Sequence, residues 1–235
     1  MANTKFKFYT LIFVITVTLL TALVIADNYI IHRHIDQTER QVRDDLLPIA
    51  NKLTFNLYNN IQVVRGLPAL FAINPSLSQR DFAIAAKKMF DGGTQLRNIA
   101  AAPDLIIKYE YPLEGNEAAI GVDYRALPKQ IGSVRRAIES KHLVLAGPLE
   151  LVQGGLGLIS RIPVFIDSAD GHENLWGMIS AVIDVDSFYK QSGLLNAALP
   201  IDIAIRGKDG VGEQGDVFFG DPNLFDEKHE PFIMT

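Results

Sequence analysis

The sequence predicts an α+β fold: an antiparallel sheet with flanking helices, preceded by a transmembrane helix and a long stalk helix. Three observations carry this. An uncharged apolar run fills residues 8–26, a helical stripe with one apolar face follows over residues 28–64, and further on strand-like runs succeed one another through hairpin turns. Helical segments fall early and late among the strands, not between every pair, which argues for antiparallel pairing over a βαβ arrangement.

The bulk numbers agree with a folded module. The chain has 235 residues with 48% apolar content, enough for a packed core. The 22 basic and 27 acidic side chains leave a net charge of −5 without a run of like charge, so nucleic acid is not an expected partner. The sequence has no Cys, which removes disulfides, thiolate metal sites and a Cys nucleophile together.

Lys5 and Lys7 precede Phe8–Ala26, a span whose polar side chains are four threonines, and Asp27 follows it. Such a run suits a helix of about 20 residues across a ~30 Å hydrocarbon core. The cations ahead of it set the N-terminus in the cytoplasm and the rest of the chain on the exported side. Val24-Ile25-Ala26 also fits a signal-peptide cleavage site, but the apolar run exceeds the usual signal core of roughly 7–15 residues, which favours a retained anchor.

From Asn28, apolar residues recur at Ile31, Ile35, Val42, Leu46, Ile49, Leu53, Leu57 and Val64, with Thr38 and Asn60 filling the missing steps. This spacing makes one stripe on a helix, which must lie on a partner copy or on the chain's own domain. Pro48 is expected to kink or restart it. Ser78 reads as the N-cap of a helix over residues 79–91, and Pro128–Ser140 as a second helix opened by proline.

Strands are expected at residues 105–111, 120–124, 143–152, 156–166 and along ENLWGMISAVIDV, with two short ones in IDIAIRG and GDVFFG. Gln153-Gly154-Gly155 reads as a tight hairpin, and Gly147-Pro148 as a bulge or edge. SFYKQSGLLNAAL reads as a late helix. The chain stops at EPFIMT within a strand-like run, so a C-terminal part is expected beyond it. The organisation is therefore 1–26 cytoplasmic N-terminus and transmembrane helix, 27–66 stalk helix, and 67–235 an exported, truncated domain.

Few residues point to chemistry. Gly154-Gly155-Leu156-Gly157 lacks the following helix that a phosphate cradle needs. No G-x-S-x-G elbow exists, and Glu114 and Glu117 form no tuned acid–base pair. His32 and His34 point to different faces of a helix, while His142, His172 and His229 have no ligand spacing. No catalytic residue, metal or cofactor is expected. Asp123, at the end of a strand-like piece, can either accept amide hydrogens in the turn before Pro128 or stand at a pocket rim as an acceptor for a ligand's N–H groups.

RNIAAAPDLIIKYEYPLEGNEAAIGVDYR, LVLAGPLELVQGGLGLISRIPVF and LWGMISAVIDVDSFY resemble the bacterial branch of the CHASE family, over about Leu67 to Phe225. That resemblance implies a PAS-like antiparallel sheet with a ligand pocket, a homodimer, and a sensor domain in the periplasm anchored in the bacterial inner membrane. It also implies a second span leading to a cytoplasmic output domain, a diguanylate cyclase, phosphodiesterase or histidine kinase. In plant cytokinin receptors of the family, a strand-end Asp and a Leu backbone group hold an adenine-type ligand, and the matching positions here are Asp123 and Leu145. The receptors' downstream Thr has no match in Leu151-Val152-Gln153-Gly154, which puts cytokinin itself in doubt. The bacterial blocks add Arg97, Asn98, Glu114, Asn116, Glu117, Tyr124, Gln153 and Arg161 as polar residues that can converge on one region. The implied ligand-binding set is Asp123, Leu145, Arg97, Tyr124, Gln153 and Arg161. The expected function is ligand sensing by a transmembrane receptor; the alternative is a constitutive dimerisation or scaffold module without a ligand.

Overall fold

The computed structural model describes residues 2–92, 94–168, 170–226 and 233, the side chains of residues 2–10 and 12 excepted. The chain opens with α1 (Ala2–Val64) and continues through α2 (Leu67–Ile73), α3 (Gln79–Phe90), β1 (Leu96–Pro103), β2 (Tyr109–Tyr111), α4 (Pro128–Ser140), β3 (Val144–Glu150), β4 (Leu156–Asp167), β5 (Glu173–Asp184), α5 (Val185–Ser192), β6 (Ile205–Arg206) and β7 (Val217–Phe219). It divides into two compact units that meet in sequence at Leu47 and Pro48. α1 is helical through Pro48, so the expected restart there does not occur. His229 and the strand read into residues 230–235 lie outside the described residues, apart from the exposed Ile233.

In the first unit, α1 carries a segment long and apolar enough to cross a membrane, with a mean hydropathy of 2.0 and no residue buried. The hydroxyls of Thr18 and Thr21 donate to the carbonyls of Val14 and Val17, both at 2.8 Å. These two polar side chains of the apolar run are thus satisfied within the helix itself, as a lipid environment demands.

The second unit is built on a five-stranded antiparallel sheet of order β2-β1-β5-β4-β3. This is the PAS-like arrangement the sequence led us to expect. Side chains alternate between two covered faces. Ile99, Ala101, Tyr109, Ile162, Ile179, Ala181 and Ile183 meet the large core with Val64, Leu67, Phe71, Phe82 and Phe188. Asn98, Ala100, Arg161, Ser180 and Val182 point the other way, toward α4 and the segment between β2 and α4. The stripe on α1 is therefore used by the chain's own domain from Ile49 onward: Ile49, Asn60 and Val64 are buried, and Leu53 and Leu57 pack partly buried on the core. Ile31 and Ile35, in the first unit, are exposed.

Several elements form as expected. The Ser78 hydroxyl accepts from the Asp81 amide at 3.1 Å at the start of α3, and α4 covers Pro128–Ser140. Gly154 and Gly155, at φ +81° and +79°, turn the β3–β4 hairpin, and the register slips between Ala146 and Leu149 where Gly147-Pro148 falls.

Other elements differ from expectation. Residues 105–108 are not strand: Asp104 and Leu105 have φ of +47° and +63° and reverse the chain, so only Tyr109–Tyr111 pairs with β1. Residues 120–124 form turns and one isolated bridge between Ile106 and Asp123, because Gly121 at φ +83° breaks the extension. β1 itself carries no strand signature, since LRNIAAAP is rich in alanine and low in β-branched residues. α2, opened by Pro68, escaped the periodicity for want of length. α5 stops at Ser192 because Gly193 takes φ +83° and lets the Leu194 amide bond back to the Tyr189 carbonyl.

Candidate functional site

A cavity opens on the α4 side of the sheet, between strands β1, β4 and β5 below and the Ile107–Gln130 segment above. Its empty space is about 380 Å³ with the open, solvent-facing mouth included. Aliphatic side chains form most of the wall, and polar groups enter from the sheet because Asn98, Arg161 and Ser180 occupy positions on this face of β1, β4 and β5.

Arg161 is the central group. Only 1% of it is exposed, and it forms no ion pair among the described residues. Its Nη1 donates to Ser180 Oγ at 2.7 Å, its Nη2 donates to Gln130 Oε1 on α4, and its guanidinium carbon lies 4.5 Å from the centroid of the Tyr124 ring. Ser180 Oγ and the Tyr124 hydroxyl, 2.8 Å apart, share a hydrogen. The cation is therefore fixed on three sides while its Nε has no partner. Burial pushes its pKa below the usual value, and the Tyr124 hydroxyl opposes that shift; an arginine nevertheless stays charged at neutral pH.

Glu110 is the second group. It is fully buried, and Asn98 Nδ2 donates to its Oε1 at 2.6 Å. Glu110 Oε2 and Asn98 Oδ1 have no partner. Burial pushes the carboxyl up to about 8 despite the Asn98 hydrogen bond, so at neutral pH it is protonated and Oε2 carries a donor. The strand is held in place by Gln79 of α3, whose amide donates to the Glu110 carbonyl at 2.8 Å and accepts from the Glu110 amide at 3.3 Å.

Three of the six residues expected at a ligand site line this cavity: Tyr124, Gln153 and Arg161. Gln153 is tethered by donation from its Nε2 to Asn116 Oδ1 at 3.2 Å, and Asn116 is anchored on the Pro112 carbonyl. The other three lie elsewhere. Asp123 caps the 3₁₀ turn Tyr124–Ala126, accepts from the Arg125 amide at 2.9 Å and pairs with Arg125 Nε at 2.8 Å; its side chain is one-third exposed. Bonding to Arg125 holds its carboxyl below the usual range. The turn role of Asp123 is thus the one its geometry fills. The Leu145 side chain packs on the opposite core, and Arg97 clamps the β3–β4 hairpin through the Gly154 and Gln153 carbonyls at 2.6 and 3.2 Å. Glu114 and Glu117 are exposed and pair with neither Arg97 nor Arg161.

Glu110, Gln130 and Ser180 were not expected. A signal existed for the first: in KYEY, a carboxylate sits between two aromatic residues on a short strand whose two faces are both covered. Among the described residues no group of three His, Asp or Glu side chains is placed to hold a metal ion.

Comparisons with known proteins follow the same line. The family model of the CHASE domain matches residues 63–219. Solved structures similar to the chain include an extracellular ligand binding receptor from Desulfohalobium retbaense, at 16% identity and TM-score 0.57, over 77% of this chain and 31% of that one. The ligand binding domain of the Pseudomonas aeruginosa PAO1 amino acid chemoreceptor PctC, in complex with GABA, is 16% identical with TM-score 0.43, over 64% and 67% of the two chains. The sensor domain of the V. cholerae histidine kinase DctB is 12% identical with TM-score 0.43, over 68% and 61%. The chain spans less than a third of the length of the first structure, whose likeness shows the fold alone. No curated protein matches the sequence. The chain belongs to the CHASE domain family, a family of receptor sensor domains.

Proposed function

We propose that this chain is the exported sensing part of a transmembrane signalling receptor, in which a small molecule enters the cavity beside Arg161 and its occupancy is passed to α1. The membrane is the bacterial inner membrane, the sensor lies in the periplasm, and the receptor works as a homodimer with a cytoplasmic diguanylate cyclase, phosphodiesterase or histidine kinase as output. The observation that carries this reading is that three buried polar atoms left without partners, Arg161 Nε, Glu110 Oε2 and Asn98 Oδ1, belong to residues that line one cavity. Such groups raise the free energy of the empty fold unless something supplies their hydrogen bonds.

A route from cavity to helix supports the second half of the reading. Asn98 lies three residues from Gln95, across a register shift in β1. The Gln95 amide donates to Asn60 Oδ1 at 2.9 Å, Asn60 Nδ2 donates to Gln95 Oε1, and Gln95 Nε2 donates to Gln191 on α5 at 2.5 Å. Asn60 is fully buried on α1. A displacement of β1 at Asn98 therefore meets a polar clamp on the helix. A ligand shifts that equilibrium only by its differential affinity for the two arrangements.

The test is a thermal-shift screen of the full chain in lipid nanodiscs against a library of small metabolites. A compound that binds the folded form raises the melting temperature in proportion to the logarithm of its concentration. The expected result is one chemical class that does so. A scaffold module whose cavity holds only water would show none, and that result sinks the sensing reading.

A further inference from the structure

We propose that the cavity receives the carboxylate group of a small organic acid, bound by the Arg161 guanidinium; this rests on the sensing reading above and names its ligand class. The ground is a count of charge. The ion pairs among the described residues lie at the surface, whereas Arg161 is buried with no carboxylate in reach. The other ionisable wall residue besides Tyr124 is Glu110, and burial keeps it neutral. The empty site thus holds one uncompensated cation in apolar surroundings, an arrangement that is costly until an anion completes it.

The donors around that cation fit a carboxylate. Two of the five N–H bonds of Arg161 are committed, to Ser180 and Gln130, and Nε–H has no partner. Ser180 Oγ already accepts from Arg161, and only one hydrogen lies between it and the Tyr124 oxygen, so one of these two hydroxyl hydrogens remains for a further acceptor. Protonated Glu110 adds a donor through Oε2. A monovalent carboxylate neutralises the guanidinium and uses these donors. A neutral amide or a nucleobase leaves the cation uncompensated, and an amine adds a second one. Ile107, Val122, Leu151 and Ile159 supply an apolar wall for the acid's hydrocarbon part. The room inside is small, which suits a short chain over a large ring system.

The experiment compares acids with their own amides on the full chain in lipid nanodiscs, in carboxylate-free buffer: acetate, propanoate and butanoate against acetamide, propanamide and butanamide, read by melting temperature and titration calorimetry. Saturable stabilisation by at least one acid, absent for its amide, is expected. Arg161→Met is expected to weaken that acid by about 30-fold or more, the loss typical of removing one partner of a buried charge pair, and Arg161→Lys by less. Equal responses to acid and amide overturn the assignment. So does stabilisation by amides, amines or inorganic phosphate with the acids silent, although the sensing reading then stands. Silence of these probes and of the whole metabolite library removes both. Should Arg161→Met fail to fold, the acid–amide comparison on the unaltered chain and on Arg161→Lys decides.

Discussion

The guanidinium of Arg161 rests 4.5 Å from the Tyr124 ring, and Ser180 joins the two by accepting from Arg161 Nη1 at 2.7 Å while sharing a hydrogen with the Tyr124 hydroxyl at 2.8 Å. A rigid cation results. Tyr124→Phe keeps the ring face and removes one buried hydrogen bond, so it should cost about 1 kcal/mol in urea unfolding. Tyr124→Leu also removes the cation–π contact and should cost about 1–2 kcal/mol more. Equal costs for the two variants would show that the ring face contributes nothing.

Glu110 makes stability depend on pH. Its carboxyl titrates at about 8 in the fold against an ordinary value of 4.5, so the folded state holds a proton that the unfolded state has released. Stability is therefore greatest below about pH 4.5 as far as this group is concerned, and falls as pH rises through 8, where the folded carboxyl ionises too. Glu110→Gln preserves the acceptor for Asn98 and removes the titration. The variant should lose this part of the slope and gain stability over the wild type as pH rises, measured as the urea midpoint at each pH. Parallel profiles for the two proteins would contradict the buried proton.

Asn60 holds β1 to α1. Asn60→Leu deletes both hydrogen bonds to Gln95 and leaves the Gln95 amide unpartnered in the interior, which should cost about 2 kcal/mol. Binding of any ligand at the cavity should be nearly unchanged, while the response of the attached output domain should be lost. An Asn60→Leu receptor that signals normally would remove the clamp from the route.

Asp123 offers the opposite contrast. Its carboxylate serves the turn and Arg125, not the cavity wall. Asp123→Ala should leave ligand affinity at the wild-type value by calorimetry. A large loss would place this side chain at the ligand after all.

The sheet's outline was legible where local chemistry and tertiary structure agree. The β3–β4 hairpin, β5, and the helices at Gln79–Phe90 and Pro128–Ser140 are marked by glycines, a serine cap and a proline that act on their own backbone. β1 was not legible, because a strand buried on both faces by neighbours can be built from alanines whose own preference says nothing. The site divides the same way. Arg161 and Tyr124 became candidates through resemblance, whereas Gln130 and Ser180 became visible beside them only when α4 crossed the sheet, since neither has an unusual neighbour in sequence. Asp123 was singled out for standing at a strand end, but the residue two places on is an arginine that claims it.

Trp176 is the sole tryptophan of the sequence. The register slip opposite Val164 and Phe165 turns its indole onto the helix side of the sheet, where it stacks on Phe71 at 4.2 Å and its Nε1 donates to the Pro75 carbonyl at 3.3 Å. The molecule thus carries a built-in optical gauge on the far side of the β layer from the arginine. Any change in its emission colour when a solute fills the hollow would record motion conducted through the strands, because the fluorophore itself has no place in the hollow's lining.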